Sequence, residues 1–92
     1  MKLYQLEIPK PIRRQIEGLP SHYRKQIKGL IADLTKNPRP INAKELRNSH
    51  DRYRIRLAQY RIVYRVQDDI LLVEMLKVGK KEGPEFYEDL DK

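Results

Sequence analysis

The feature that most constrains the fold is a pair of strand-like segments separated by only two residues. Arginine and apolar residues alternate strictly from Arg52 to Leu57, and the segment from Tyr60 to Gln67 is rich in β-branched and aromatic residues. Alternation with a period of two is typical of a strand with one buried face. A connection as short as Ala58-Gln59 indicates an antiparallel hairpin. The sequence therefore predicts a β-hairpin in the second half of the chain.

Pairing across this hairpin gathers its arginines on one side. If Leu57 lies opposite Tyr60, then Arg56 lies opposite Arg61, and directly opposed residues share a face. The residues of the resulting arginine face are Arg52, Arg54, Arg56, Arg61 and Arg65. Like charges directly opposite each other destabilise a sheet, whereas guanidinium groups present planar donors to phosphate oxygens. The arrangement predicts anion binding, and the structural alternative is that the guanidinium groups extend into solvent or pair with Glu74 and with acidic residues of the C-terminus.

Periodicity and turn residues assign the other segments of the chain. In chain order these are a strand at 3–8, helices that begin near Pro11 and Ser21, a loop at 37–43, a strand at 70–78 and a short helix at 82–90. All apolar residues of the hairpin are then expected on the face opposite the arginines. Extending the pairing through Asp68-Asp69 adds Leu71, Val73 and Met75 to that face. The predicted fold is α+β in the order β-α-α-β-β-β plus a short C-terminal helix. Its helical hairpin packs on one face of an antiparallel sheet, as a single domain of residues 1–92.

Composition excludes several kinds of site. The chain has no cysteine, which excludes a disulfide framework, a thiolate nucleophile and a cysteine-ligated zinc site. Only His22 and His50 provide imidazoles, so no metal and no cofactor are expected. The apolar stretch at 70–76 is too short to span a bilayer, and the N-terminus does not resemble a signal peptide. We therefore expect a cytoplasmic protein without a membrane partner.

The charge is basic and unevenly distributed. Twenty Lys and Arg against thirteen Asp and Glu give a formal charge of +7. Residues 83–92 hold four acidic residues and one lysine, a balance of −3, which leaves +10 for residues 1–82. Residues 44–65 hold seven basic and two acidic residues, a balance of +5. Such concentration indicates a polyanionic partner, with nucleic acid the leading candidate, and a merely solvated basic surface is the alternative.

Three runs of residues carry a resemblance to a known family. They are Tyr53-Arg-Ile-Arg-Leu57, Tyr60-Arg-Ile-Val-Tyr64 and Val78-Gly-Lys-Lys-Glu82 followed by Tyr87. In these runs the chain resembles the RelE toxins of the RelE/ParE superfamily, and the resemblance covers essentially all 92 residues. It implies a toxin of a type II toxin–antitoxin system that cleaves mRNA in the ribosomal A site without a metal. It further implies that a cognate antitoxin neutralises the protein and that operator DNA is reached only through that antitoxin.

The resemblance also implies roles for single residues. Arg54 and Arg56 match two basic residues of the family's active-site strand, and Arg61 matches its phosphate-binding arginine. Lys81 matches a basic residue that in the family is often arginine, and Tyr87 matches the aromatic residue that stacks on an mRNA base. Surrounding cations are predicted to bind the RNA backbone: Lys44, Arg47, Arg52, Arg65 and Lys80.

The chemistry implied for the family uses the RNA as its own nucleophile. A 2′-hydroxyl attacks the adjacent phosphorus and leaves a 2′,3′-cyclic phosphate and a 5′-hydroxyl, so the protein must align the substrate and stabilise charge. Relatives carry lysines where this chain has Arg54 and Arg56, and arginine is a poor general base. Lys81 is then the side chain with an ordinary route to proton transfer, unless Tyr87 contributes. Two other functions remain open: ParE-like inhibition of DNA gyrase, and non-catalytic binding of RNA or ribosomes.

Overall fold

Besides a 3-10 helix at Asp68–Ile70, seven α-helices and β-strands are formed by residues 3–47 and 49–80, the part of the chain that the computed structural model describes. In chain order they are β1 (Gln5–Glu7), α1 (Lys10–Glu17), α2 (Ser21–Leu34), β2 (Lys44–Glu45), β3 (Arg52–Leu57), β4 (Tyr60–Gln67) and β5 (Leu72–Lys80). The order follows the predicted one except for β2, a two-residue strand that the sequence pattern did not indicate. The helix predicted at 82–90 lies outside the described residues.

Both helices lie over one face of the sheet because each has a stripe of isoleucine and leucine. Proline at the first turn of α1 is compatible with a helix start, and Ile12 and Ile16 are the buried residues of this helix. In α2 the buried residues are Ile27, Ile31 and Leu34. They pack against strand residues in a single core cluster. No helix within residues 3–47 and 49–80 is long and apolar enough to cross a membrane.

The five strands form one sheet in the order β1-β5-β4-β3-β2. Neighbouring strands are antiparallel except for β1 and β5, which run parallel with Leu6 beside Val73. The predicted α+β architecture with a mostly antiparallel sheet is confirmed, and the parallel pairing of β1 with β5 is a feature that the sequence pattern did not indicate. A parallel pair needs a long connection between its strands, and here that connection contains both helices and the three other strands.

The predicted register of the central hairpin is confirmed. Arg56 is paired with Arg61, Ile55 with Ile62, and the remaining pairs follow in step. The connection places Ala58 at a φ of 54°, a left-handed conformation that glycine adopts more readily. The hairpin therefore forms although its turn lacks glycine, since the cross-strand pairs already fix the register.

The prediction that all apolar residues lie opposite the arginines was wrong at Val63 of β4 and at Leu71, which lies before the start of β5. Val63 lies on the arginine face, where it is fully buried in a second cluster with Leu46 and the partly buried Leu76. A bulge in the β4–β5 ladder, between Val63 and Tyr64, leaves Leu76 as the extra residue of β5. Leu71 precedes β5 at a φ of 52° and ends a 3-10 turn, so the connection is longer than Asp68-Asp69. Val73 and Met75 are buried as predicted.

The loop after α2 is fastened to the sheet at two points. Inside the core, the Tyr64 hydroxyl donates to the Pro38 carbonyl at 2.7 Å. Nearer the surface, Arg39 donates to both carboxylate oxygens of Asp68 at 3.0 and 2.7 Å. Hydrogen bonds from Arg39, which has the larger effect, and from Tyr4 lower the pKa of Asp68 to about 2. These contacts close the end of the core that lies farthest from the Ala58-Gln59 turn.

Candidate nucleic-acid interface

Cross-strand pairing adds two lysines to the arginine face. Lys44 of β2 is paired with Arg54 of β3, and Lys77 of β5 is paired with Val63 of β4. Directly paired residues share a side of the sheet, so both lysines lie on the arginine face. The structure thus brings Lys44 to the predicted site and adds Lys77, which the sequence analysis had missed.

At one end of the arginine face the positive charge is compensated. The Arg65 Nε atom donates to Asp51 Oδ2 at 3.0 Å, and its Nη1 atom lies 3.9 Å from Glu74 Oε1. The Arg65 guanidinium, with a smaller contribution from Ser49, lowers the pKa of Asp51. Arg52, which is paired with Arg65 across the ladder, also lies close enough to Asp51 to favour its charged form. The structural alternative of pairing with Glu74 therefore holds for Arg65.

At the other end, beside the Ala58-Gln59 turn, no acidic residue in the described part of the chain compensates the charge. Among the described residues, no acidic side chain pairs with Arg54 or Arg56. Arg61 avoids Arg56 by folding back, so that its Nη1 atom donates to the carbonyls of Ala58 at 3.2 Å and Tyr60 at 3.0 Å. The Nε atom of Arg61 is buried without a partner among the described residues. We call Arg54, Arg56 and Arg61 the open cation cluster.

An apolar contact holds the chain segment that leads into β3. Leu46 is 6% exposed and packs on Val63 in the middle of the arginine face. Its backbone amide donates to the Arg52 carbonyl at 2.9 Å, which folds the segment after β2 against the sheet. Neither residue is among the predicted site residues. Val63 carried a readable signal, because it is the one apolar residue that the predicted register places among the arginines.

The remaining predicted site residues are less closely gathered. Lys80 is the last residue of β5 and is paired with Tyr60, so its register position belongs to the face on which the helices pack. Arg47 is exposed just beyond β2. Lys81 and Tyr87 lie outside the described residues, and their predicted roles stay predictions.

The open cation cluster can stabilise an oxyanion but offers no ordinary general base. Guanidinium groups remain protonated and act only as donors, which suits a phosphate whose negative charge rises in the transition state. Within residues 3–47 and 49–80, no three His, Asp or Glu side chains are grouped so that they could hold a metal ion. The described part of the site is thus a set of positioned cations on a rigid sheet.

Comparison with known proteins agrees with this architecture. Residues 6–83 match the family described as the ParE toxin of the type II toxin–antitoxin system parDE. The mRNA interferase toxin RelE of Escherichia coli is 34% identical over 88 residues, which cover 94% of this chain and 92% of that protein. The crystal structure of the isolated E. coli RelE toxin superposes with a TM-score of 0.75 at 33% identity and covers 94% of this chain and 93% of that chain. The toxin in the intact E. coli RelBE toxin–antitoxin complex also gives a TM-score of 0.75, at 34% identity, over 87% of this chain and 99% of that chain.

These matches extend over both helices, the whole sheet and the strands that carry the arginine face. The family profile has the ParE name, whereas the individual relative and the two solved structures are RelE proteins. Both names belong to one superfamily of toxins with a shared fold. The chain therefore belongs to the RelE/ParE superfamily of type II toxin–antitoxin systems, as a RelE-like toxin.

Proposed function

We propose that this protein is the toxin of a type II toxin–antitoxin system and an endoribonuclease that cleaves mRNA in the ribosomal A site. The observation that carries this proposal is the open cation cluster on a sheet similar to that of E. coli RelE, a protein named as an mRNA interferase toxin. These three arginines have no acidic partner within residues 3–47 and 49–80, and like charges placed close together cost stability in a sheet. A phosphodiester bound across them would relieve that repulsion.

The proposed reaction divides its tasks among a few side chains. The 2′-hydroxyl oxygen bonds to phosphorus, the bond from phosphorus to the 5′-oxygen breaks, and a proton moves from the former oxygen to the latter. Arg54 and Arg56 neutralise the phosphorane, whose charge exceeds that of the ground state. Lys81 is the candidate for moving the proton, and Tyr87 the candidate for stacking on a base.

Arg61 joins the reaction by changing its hydrogen-bond partners. In the free protein its guanidinium donates to the carbonyls of Ala58 and Tyr60, while its Nε atom is buried and has no partner within the described part of the chain. A bound phosphate offers acceptors to all of these donors, including the unpaired one. A buried donor without a partner costs about 1–3 kcal/mol. When Arg61 turns to the phosphate, the new hydrogen bond of its Nε atom offsets part of the free energy that is lost with the two carbonyl hydrogen bonds.

The arginine face should differ in function from one end to the other. Arg65 has two of its nitrogen atoms directed at acidic side chains, so we expect it to contribute less to RNA binding than Arg56. Lys44 lies beside Arg54 and extends the cationic path away from the hairpin turn. RNA binding by Lys80 and Arg47 remains part of the proposal, with their contribution secondary to that of the open cation cluster.

The proposed partners follow from the charge and from the relatives. E. coli RelE forms an intact RelBE toxin–antitoxin complex, and we expect a cognate antitoxin to neutralise this chain as well. Charge complementarity requires that the antitoxin bring acidic residues to the arginine face. We expect contact with operator DNA only through the antitoxin. Because the proposed targets of the toxin are ribosomes with bound mRNA, we expect the protein to act in the cytoplasm.

Primer extension on ribosomes programmed with a defined mRNA tests the proposal. We expect new 5′ ends within the A-site codon when purified protein is added, and far slower cleavage of the same mRNA without ribosomes. Arg56→Gln, which removes an exposed cation of the open cation cluster, should reduce this cleavage, whereas Lys36→Gln serves as a control for a lost surface charge outside the arginine face. Ribosome binding without any new mRNA end would instead assign the protein to the non-catalytic class.

A second candidate function has one observation in its favour. Residues 6–83 match a family described by its ParE members, and ParE-like toxins inhibit DNA gyrase. We expect purified protein to leave DNA supercoiling by gyrase unchanged at concentrations that cleave ribosome-bound mRNA. Inhibition of gyrase with intact mRNA would replace the proposed function by this second one.

A further inference from the structure

The bulge in β5 turns a lysine toward the arginine face. Successive side chains of a strand point to opposite faces. Since Glu74 lies on the arginine face, strict alternation would place Leu76 on that face and Lys77 among the core residues. Instead, the bulge inserts Leu76 as an extra residue and pairs Lys77 with Val63. Lys77 therefore lies on the arginine face, and the next residue, Val78, is the one buried in the core.

This turn brings Lys77 close to the open cation cluster. Gly79 is paired with Arg61, so Lys77 is the diagonal neighbour of Arg61 on the same face. Diagonal neighbours lie about 7–8 Å apart, within reach of each other for long side chains, and Gly79 has no side chain beside them. A phosphate bound by Arg61 would therefore lie within reach of the Lys77 ammonium group.

Stability alone does not explain why a lysine is turned this way, because like charges close together destabilise a sheet. Bulges are common next to active sites, where they redirect a side chain. The surroundings of Lys77 also differ from those of Lys44, which is exposed at the edge of the same face. Lys77 is half-buried, and its partner Val63 is covered by Leu46. Apolar neighbours that exclude water strengthen the interaction of a charge with its target.

A lysine adds a chemical capacity that the arginines lack. Guanidinium groups hold their protons throughout a reaction, whereas an ammonium group can release one and so act as a general acid. The departing 5′-oxygen leaves as a high-energy alkoxide unless a proton reaches it. The arginines of the open cation cluster can stabilise charge on the phosphorane, but they are unsuited to this proton transfer.

We propose that Lys77 is a further catalytic residue, which protonates the 5′-oxygen as that oxygen leaves phosphorus. The 2′-oxygen bonds to phosphorus and its proton passes to water, while the bond from phosphorus to the 5′-oxygen breaks with its electron pair on the oxygen. That oxygen takes a proton from the Lys77 Nζ atom, and the neutral amine then recovers a proton from water. This inference rests on the proposed function, and it assigns to Lys77 the proton-donating part of the task given there to Lys81.

Two mRNAs on programmed ribosomes test the role of Lys77. One is ordinary RNA, and in the other sulfur replaces the 5′-bridging oxygen of the cleaved phosphate. A thiolate leaves without being protonated, because thiols ionise at a pKa of about 8.5, as in the cysteine side chain. Single-turnover cleavage of both mRNAs is measured for the unmodified protein, Lys77→Gln and Lys77→Arg, and thermal unfolding checks that each protein folds.

Two further variants serve as controls. Lys36→Gln removes an exposed lysine outside the arginine face and should cleave both mRNAs at the normal rate. Arg56→Gln removes a cation of the open cation cluster and should be slow on both mRNAs, since it weakens stabilisation of the phosphorane and not protonation of the leaving group.

The expected results separate proton donation from charge. Lys77→Gln should cleave the ordinary mRNA about 100-fold more slowly than the unmodified protein, the scale for one lost general acid, and the sulfur-substituted mRNA within about threefold of the normal rate. Lys77→Arg should be nearly as slow on the ordinary mRNA, because arginine keeps the charge but does not release a proton.

Three results would overturn the inference and leave the proposed function intact. They are a normal rate of Lys77→Gln on the ordinary mRNA, an equal loss on both mRNAs, and full activity of Lys77→Arg, which would make Lys77 an electrostatic contact only. If the unmodified protein does not cleave the ordinary mRNA, the proposed function fails and this inference fails with it.

Discussion

Arg61 and Arg65 allow a matched test of which arginines serve the reaction. Both belong to β4, four residues apart and on the same face of the sheet, and each opposes another arginine on β3. They differ in their partners, since Arg61 donates to carbonyls of its own turn and Arg65 binds Asp51 and Glu74. Changing each to glutamine removes one positive charge and leaves a shorter, neutral polar side chain at both positions.

The expected magnitudes follow from these contacts. Arg61→Gln should lower the single-turnover cleavage rate by about 100-fold or more, the scale for one lost transition-state donor. Its free energy of unfolding should change by no more than about 1 kcal/mol, because the loss of the carbonyl bonds is offset by removal of the buried Nε donor and by relief of the repulsion from Arg56. Arg65→Gln should lower the free energy of unfolding by about 1 kcal/mol or less, since both ion pairs are half exposed, and should change cleavage by only about threefold.

Urea unfolding and single-turnover cleavage on programmed ribosomes, measured on the same preparations, give both quantities. Arg61→Lys is a useful third protein because it keeps the charge but loses the planar set of donors, so we expect an intermediate rate. Near-normal cleavage by a folded Arg61→Gln protein would refute the reasoning. So would an Arg65→Gln protein that retains full stability and loses cleavage as severely as the Arg61 variant.

Three further outcomes are expected. Asp68 has a pKa of about 2 in the folded protein, below its unfolded value of about 3.9, so its stabilising contribution is complete above about pH 4 and is lost as the pH falls towards 2. In urea unfolding at several pH values, Asp68→Asn should flatten this acid dependence. An unchanged pH profile would show that the Asp68–Arg39 ion pair is not its cause. Tyr64→Phe should cost about 1 kcal/mol by leaving the buried Pro38 carbonyl without its donor, and equal stability by thermal unfolding would contradict that. Tyr87→Ala should weaken cleavage by the equivalent of about 1–3 kcal/mol of base stacking with little change in melting temperature, whereas lost stability with normal cleavage would make Tyr87 a packing residue.

The hairpin was predictable because its determinants are local. Strict alternation assigns the residues of β3 to faces, and a two-residue connection leaves little freedom in pairing. The register from Leu57 and Tyr60 was therefore correct, and with it the gathering of the five arginines. The position of Val63 could also be predicted from the sequence, because the same register places this apolar residue on the arginine face.

Other features depended on contacts distant in sequence. The bulge that sets Leu76 apart lies within the β4–β5 ladder, and the parallel pairing of β1 becomes defined only when both ends of the described chain meet. The different surroundings of Arg65 and Arg61 depend on the position of Asp51, which precedes β3, and of Glu74 across the sheet. Alternation assigns each arginine to a face but contains no information on which acidic side chain reaches it.

Replacing a single 2′-hydroxyl tests the central claim most directly, namely that positioned cations promote attack by the RNA on its own phosphodiester. Programmed ribosomes would carry either an all-ribose mRNA or one with a single 2′-deoxynucleotide on the 5′ side of the cleaved phosphate. We expect cleavage of the all-ribose mRNA, with a 2′,3′-cyclic phosphate at the new end. We expect no cleavage at that phosphate in the deoxy-substituted mRNA, although both complexes bind the protein equally. Cleavage of the deoxy-substituted mRNA at the normal rate would contradict it.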